Sequence, residues 1–327
     1  MENEIKENEL EKVEEVEPVE EVTSEPEVIT YSSKYLQGIE DARKVFLRVY
    51  QTQNRFKWVV TAVSLILIIF AFIFFPNMVP GTGGMVGMVA IGVGAVLLTL
   101  VYSIYTRKAM DRKLQAYFLN YYNCVNSFVF DTKDFENIGA QFPGKIQIEA
   151  FTDNCLFKNV DNVGSRGLTE FEYKGTPIAV CDAAAQTKAD RRVLPVFVGK
   201  YLYAAAEYNF DDPLYVYFKG DKRALPPTNL EGVKSVLEND KYIVYSNNKD
   251  WKKVVNNDVK KIFDKVKMNK YLVDLSISLQ KGRIFVCMGY DDPLMVLPLQ
   301  NEFDPKPNEQ FKKDVYNVLD LIKEFNK

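Results

Sequence analysis

Two uncharged apolar runs lie nine residues apart near the N-terminus, and they constrain the architecture more tightly than any other feature of the chain. Residues 58–75 are dominated by Val, Ile, Leu and Phe and carry no charge. At helical rise that stretch covers about 27 Å, close to the hydrocarbon thickness of a bilayer. Residues 85–105 form a second such run. The connecting residues 76–84, Pro-Asn-Met-Val-Pro-Gly-Thr-Gly-Gly, are uncharged and rich in turn formers, which predicts a short loop. The pattern reads as a two-span transmembrane helical hairpin. Trp58 at the start of one span and Tyr102 and Tyr105 at the end of the other suit anchors at a single membrane face.

Basic residues set the expected orientation. Arg55 and Lys57 precede the first span, and Arg107, Lys108, Arg112 and Lys113 follow the second, whereas the loop between the spans has none. The positive-inside rule then puts both termini in the cytoplasm of an inner (plasma) membrane protein. Gly83, Gly87, Ala90 and Gly94 recur at steps of four and three and fall on one helix face. Small residues there predict close transmembrane packing, either against the first span or against another copy.

Helical spacing continues on both sides of the hairpin. Residues 31–57 place Leu36, Ile39, Phe46 and Val49 on one side, and residues 106–130 repeat Met110, Leu114, Tyr117 and Tyr121 at three and four residues. A short outer loop forces these cytoplasmic extensions to start side by side, so the expectation is an antiparallel stalk with the two stripes facing each other. The first thirty residues differ in kind. They hold twelve Glu against two Lys, a net of -10, which leaves +7 on the remainder. Such a segment buries too little apolar surface to offset its ordering entropy and reads as a disordered acidic tail, with docking to a basic partner as the alternative.

Composition removes several chemistries. The chain has no histidine, hence no imidazole base, zinc ligand or pH switch. Its four cysteines, Cys124, Cys155, Cys181 and Cys287, form no CxxC pair and suit buried, inert roles in a reducing compartment. Hydrolase, Walker and kinase signatures are missing, and no motif asks for a cofactor or a metal.

Residues 131–327 change period. Strand-like runs stand at 145–149, 170–181 around a Lys174-Gly175 turn, 193–206, 214–218, 241–245, 271–279, 283–288 and 295–299. Helical stripes occupy 250–268 and 308–325. The fold class expected is therefore α+β, a mostly antiparallel sheet domain with a few helices on the cytosolic side of the hairpin. An aromatic-DDPL string occurs twice, at 210–214 and 290–294, and reads as turn chemistry before duplication. The stretch 250–270 carries seven lysines. Lys252, Lys253, Lys260 and Lys261 are candidates for contact with anionic lipid, since a polybasic cluster is attracted to an anionic leaflet. Nucleic acid is not expected as a partner, because no aromatic platform is interleaved with the basic residues.

Landmarks across residues 35–325 resemble the bacterial domain of unknown function 3137 family. They are Leu156-Phe157, Gly175-Thr-Pro-Ile178, Pro195-Val-Phe-Val-Gly199, the 237–246 string Leu-Glu-Asn-Asp-Lys-Tyr-Ile-Val-Tyr-Ser and Lys281-Gly-Arg-Ile-Phe285. The resemblance implies a bacterial membrane protein and brings no catalytic residue with it. The expected role is a membrane-tethered cytosolic interaction or scaffold domain binding protein or anionic lipid. The alternative is a membrane-associated enzyme using Asp, Lys and Arg chemistry without histidine.

Overall fold

In a computed structural model the chain forms α1, Ser33–Met78, and α2, Thr82–Val129, two unbroken helices packed side by side. The structure describes residues 33–78, 81–189, 192–207, 212–220, 232–290, 299 and 301–327. The acidic segment 1–30, Phe210 and Asp211 of the first DDPL string, all of the second string after Tyr290 and nearly all of the expected strand at 295–299 lie outside those residues. At helical rise α1 is about 69 Å long, far more than a bilayer requires. The excess is the stalk. Both helices are long and apolar enough to cross a membrane. Along the apolar stretches Leu65, Ile66, Phe72, Ile73, Leu97, Leu98, Val101 and Ile104 point outward and are exposed. Water would make that surface costly, and a hydrocarbon surrounding would not.

Between the apolar stretches the contact is made by small and hydroxyl side chains. Ser64, Ala71, Gly84 and Ala95 are buried. The Thr99 hydroxyl hydrogen-bonds Ser64 Oγ across the pair at 2.8 Å. The expected packing stripe is offset from this seam. Gly83, Ala90 and Gly94 are exposed, a Cβ built on Gly94 would meet nothing within 4 Å, and Gly87 alone is half-buried. Periodicity identified a face of small residues. Burial along α2 instead follows Gly84, Met88, Ile91 and Ala95, rotated from that face around the helix.

The stalk forms as its stripes require. Ile39 and Phe46 are buried, Val49 and Leu114 half-buried, and the Phe46 ring stacks on Tyr117 with centroids 5.4 Å apart. Gly38 sits where a Cβ would stand 3.9 Å from Cys124 Sγ, so the helices close together there. Arg43 is buried at the stalk and pairs with Glu40, whose carboxyl it holds below the ordinary range. The first helix also runs through Pro76 to Met78, into the residues expected to form the loop.

Beyond α2 the strands are β1 Phe135–Gln141, β2 Asn162–Tyr173, β3 Thr176–Ala189, β4 Arg192–Ala205, β5 Leu214–Phe218, β6 Ser235–Glu238, β7 Tyr242–Ser246, β8 Leu272–Gln280 and β9 Arg283–Tyr290. They make one sheet in the order β1-β2-β3-β4-β9-β8-β5-β7-β6, every neighbour antiparallel. The α+β expectation holds. Two Lys-Gly turns close hairpins: Lys174-Gly175 and Lys281-Gly282 all have positive φ, the pairing whose twist matches flanking strands. One face packs Phe151, Phe197, Tyr201 and Phe285 around Cys181 and Cys287. The last turns of α2 and the helix α6, Lys306–Phe325, cover the other.

Two local expectations fail for identifiable reasons. Residues 145–149 alternate like a strand, yet Ile148–Thr152 forms a short helix α3. The chain there has just turned at Gly144, and the Ile146 amide donates to Ser165 Oγ instead of a ladder. The helix expected over 250–268 is two, α4 Trp251–Val254 and α5 Asn257–Lys265. Asn256 restarts it as a cap, accepting from the amides of Asp258 and Val259. The boundary drawn at residue 130 also cuts through a core. Tyr121, Tyr122, Val125, Phe128 and Phe130 of the α2 end are all buried with the sheet.

The stalk makes a direct prediction. Cysteines introduced by Phe46→Cys and Tyr117→Cys should join under a short bismaleimide in the intact chain, and Phe46→Asp should destabilise the stalk by about 3 kcal/mol. Failure of the pair to join at this or an adjacent helical turn would mean the two extensions do not meet.

Candidate functional site

Charge is buried where α2 meets the sheet. Arg166 on β2 is the register partner of Asp182 on β3, which is the register partner of Lys200 on β4. Antiparallel pairing therefore lines the three side chains across one face. Lys200 is 3% exposed and its ammonium bonds Asp182 Oδ1. Arg166 Nε stands 3.6 Å from Asp182 Oδ2, and the Tyr122 hydroxyl of α2 donates to the same oxygen at 2.6 Å. The Phe311 ring of α6 lies over the Lys200 ammonium, 4.9 Å from nitrogen to centroid. Burial pulls the Lys200 pKa below its usual range against the opposing pull of Asp182.

Polar contacts continue on both sides of this row. Asn126 donates to Thr169 Oγ1 at 2.9 Å, and Asn308 of α6 donates to the Tyr121 hydroxyl at 3.1 Å. The Tyr290 hydroxyl donates to Asp314 Oδ2 at 3.0 Å. Burial lifts the Asp314 carboxyl to about 7, against hydrogen bonds from Gln310 and Tyr290 that favour its charged form. Gly167 has φ of 64°, and a Cβ there would come 2.2 Å from the Tyr122 ring, so glycine is required for the helix to approach.

A hollow of about 330 Å³ opens beside the row, lined by Gly164, Ser165, Arg166, Asp182, Ala184 and Val198 among others. The small residues leave the space, and Arg166 and Asp182 supply its charge. A larger depression of about 570 Å³ lies elsewhere and is lined by Glu170, Tyr203 and Arg283 among others. We take the smaller one as the candidate site, because it adjoins the buried ion row. Chemically, Lys200 is committed to Asp182 and to the Phe311 face. The guanidinium of Arg166, partly exposed, is the cation that borders open space.

The lysines expected to touch lipid stand elsewhere. Lys253 pairs with Asp250 at 3.0 Å and Lys261 with Asp258 at 2.8 Å, Lys252 lies over its neighbour Trp251, and Lys260 is half-buried. α6 runs along α2 in the same sense, with Asn308 against Tyr121 and Lys312 bonding the Phe128 carbonyl and Asp131. Phe263 of α5 packs on Phe325, at the other end of α6 and about 26 Å along it. α5 is thus at the end of α6 remote from the apolar stretches. Arg166, Asp182 and Lys200 escaped sequence reasoning because sixteen and eighteen residues separate them. The signal available was a lone charge inside an apolar strand, as in Ala-Val-Cys-Asp182-Ala-Ala-Ala.

No family model matches the chain, and no curated protein matches it. Among solved structures, the crystal structure of the mycobacterial trehalose monomycolate transport factor A, TtfA, is similar at 11% identity and a TM-score of 0.33. The match covers 61% of this chain and 93% of that one. A likeness at that score assigns neither fold nor function.

Two predictions come from the ion row and its neighbour. Asp182→Asn strands Lys200 in the interior and should cost about 3 to 5 kcal/mol, whereas the double change with Lys200→Met should recover most of it, read from urea unfolding. Asp314 binds its proton more tightly folded than unfolded. Its contribution to stability is full below the ordinary carboxylate range and is lost as pH rises through about 7. Asp314→Asn should remove that loss, so the variant gains on the parent at alkaline pH and matches it in acid; an unchanged pH profile would contradict the placement.

Proposed function

We propose that the chain is a two-span protein of the bacterial inner membrane with both termini in the cytoplasm, and that its sheet domain is a membrane-tethered interaction or scaffold domain for protein or anionic lipid. The observation that carries this reading is the continuity of α2. One helix runs from the apolar stretch into the sheet, where Tyr122, Asn126 and Phe130 bind Asp182, Thr169 and Phe171. A domain joined by a flexible linker could sample the cytosol, whereas one mounted on a helix is held at a set distance from the bilayer. Arg55, Lys57, Arg107, Lys108, Arg112 and Lys113 all lie at the stalk end of the spans, as the positive-inside rule asks. The resemblance to the bacterial family of domain of unknown function 3137 supports the same reading.

A second reading, a membrane-associated enzyme using Asp, Lys and Arg chemistry, is favoured by one observation: Arg166 and Asp182 converge on a hollow with Lys200 behind them. It ranks lower because Lys200 is spent on its partners.

Impermeant maleimide on intact cells separates the outcomes for topology. A cysteine introduced by Asn77→Cys should label from outside, and Cys155 should label only after permeabilisation; external labelling of Cys155 overturns the orientation. For the role, the full chain reconstituted in neutral lipid nanodiscs should retain a discrete partner or anionic vesicles through its sheet domain. Stoichiometric capture of a small metabolite, lost in Arg166→Ala, would instead favour the enzyme.

A further inference from the structure

The strand hairpin β3–β4 extends past the sheet that carries it. Its last pairs are Thr187 with Leu194, Lys188 with Val193 and Ala189 with Arg192. Among the described residues β2 pairs β3 as far as Asn162 with Gln186, and β9 pairs β4 from Gly199 onward. Among the described residues the end of the hairpin therefore has no flanking strand, only the Asp161 carboxylate accepting from the Lys188 amide, and a two-stranded ribbon is marginal in water by itself. Val193 is 56% and Leu194 45% exposed on it. Alternation puts Lys188 and Val193 on one face of the ribbon and Arg192 and Leu194 on the other, so each face offers one cation and one apolar side chain.

The direction of this ribbon follows from the register between α2 and the sheet. Tyr122 meets Gly167, Asn126 meets Thr169 and Phe130 meets Phe171. Four helical residues, about 6 Å, keep step with two strand residues, about 7 Å. α2 therefore runs alongside β2 in the same sense, and β3 runs back towards the apolar stretch. Asp182 is level with Tyr122 through their hydrogen bond. From Asp182 to Ala189 the strand climbs about 23 Å, the rise of about fifteen residues of α2. That brings the ribbon's end level with Arg107, just outside the apolar run that ends at Tyr105.

We infer that the end of the β3–β4 hairpin docks on the anionic headgroup layer of the bilayer that the helices cross, with Val193 and Leu194 entering the interface and Lys188 and Arg192 pairing with lipid phosphates. The inference rests on the two-span reading and replaces the α4–α5 lysines as the lipid contact. Height, charge and exposed apolar tip all come from one element, and an interfacial tip is where such a combination is stable. Docking gives the sheet a second attachment beside the stalk.

Quenching by brominated lipid tests it, because the chain has only two tryptophans, Trp58 at the span and Trp251 on α4. The full-length protein is reconstituted in vesicles of brominated phosphatidylglycerol and phosphatidylethanolamine. In the W251F protein, quenching of Trp58 reports the span. In the W58F/W251F protein carrying V193W, the indole on the ribbon reports the hairpin and should lose at least about half as much fluorescence as Trp58. Adding K188E and R192E should cut that quenching about twofold or more in these anionic vesicles. Trp58 quenched with a bright V193W indole would overturn the docking and leave the spans intact. Trp58 unquenched would overturn both. Quenching of V193W that survives the charge reversal would show an indole drawn in by itself, and would overturn the docking as stated.

Discussion

Asp182 accepts from the helix, from the strand on one side and from the strand on the other, and the mounting of the sheet on α2 depends on it. Tyr122 brings the helix to it, Lys200 is held inside by it, and Arg166 closes it from the hollow side. A carboxylate buried without such company would be costly to ionise. A lysine as deeply buried as Lys200 would also be costly without one. The two polar groups therefore fix one register between β3 and β4, since a slip of one residue would send both to the aromatic face.

Around that point the packing is aromatic and tight. Phe130, Phe135, Phe171 and Tyr173 cluster in tilted and edge-on pairs where α2 gives way to the sheet, with centroids 4.4 to 5.6 Å apart. Nearer the stalk the Phe118 ring stacks on Phe142 at 4.6 Å. Helix and sheet thus share a core from one end of the contact to the other. The stalk residues Ile39 and Phe46 extend it along α1, so the folding unit includes both helices and cannot be cut at the point where the sequence period changes.

Features set by near neighbours were legible in the sequence. The apolar runs, the facing stripes of the stalk and the Lys174-Gly175 hairpin all express rules that act over a few residues. Where a local pattern had two readings, tertiary context chose. The alternation at 145–149 yielded to a turn at Gly144, and the helix at 250–268 yielded to the cap offered by Asn256. The stripe of Gly83, Ala90 and Gly94 was visible, but a period says which residues share a face and not what the face meets. The candidate site was least legible, because Arg166, Asp182 and Lys200 become neighbours only once three strands are in register.

The length of α2 has a mechanical consequence. In the proposed topology its two halves sit in different media, one in lipid and one in the core of the sheet domain, with no hinge recorded between Thr82 and Val129. Helices adjust to bilayer thickness by tilting, and a stiff rod carries that tilt beyond the lipid. Tyr122 stands about 25 Å past the end of the apolar run, so a tilt of about 10° would swing it sideways by about 4 Å. The sheet would lean with it, lifting or lowering whatever its outer edge holds. Lipid composition then becomes a force applied at one end of a lever, with the Asp182 junction at the other.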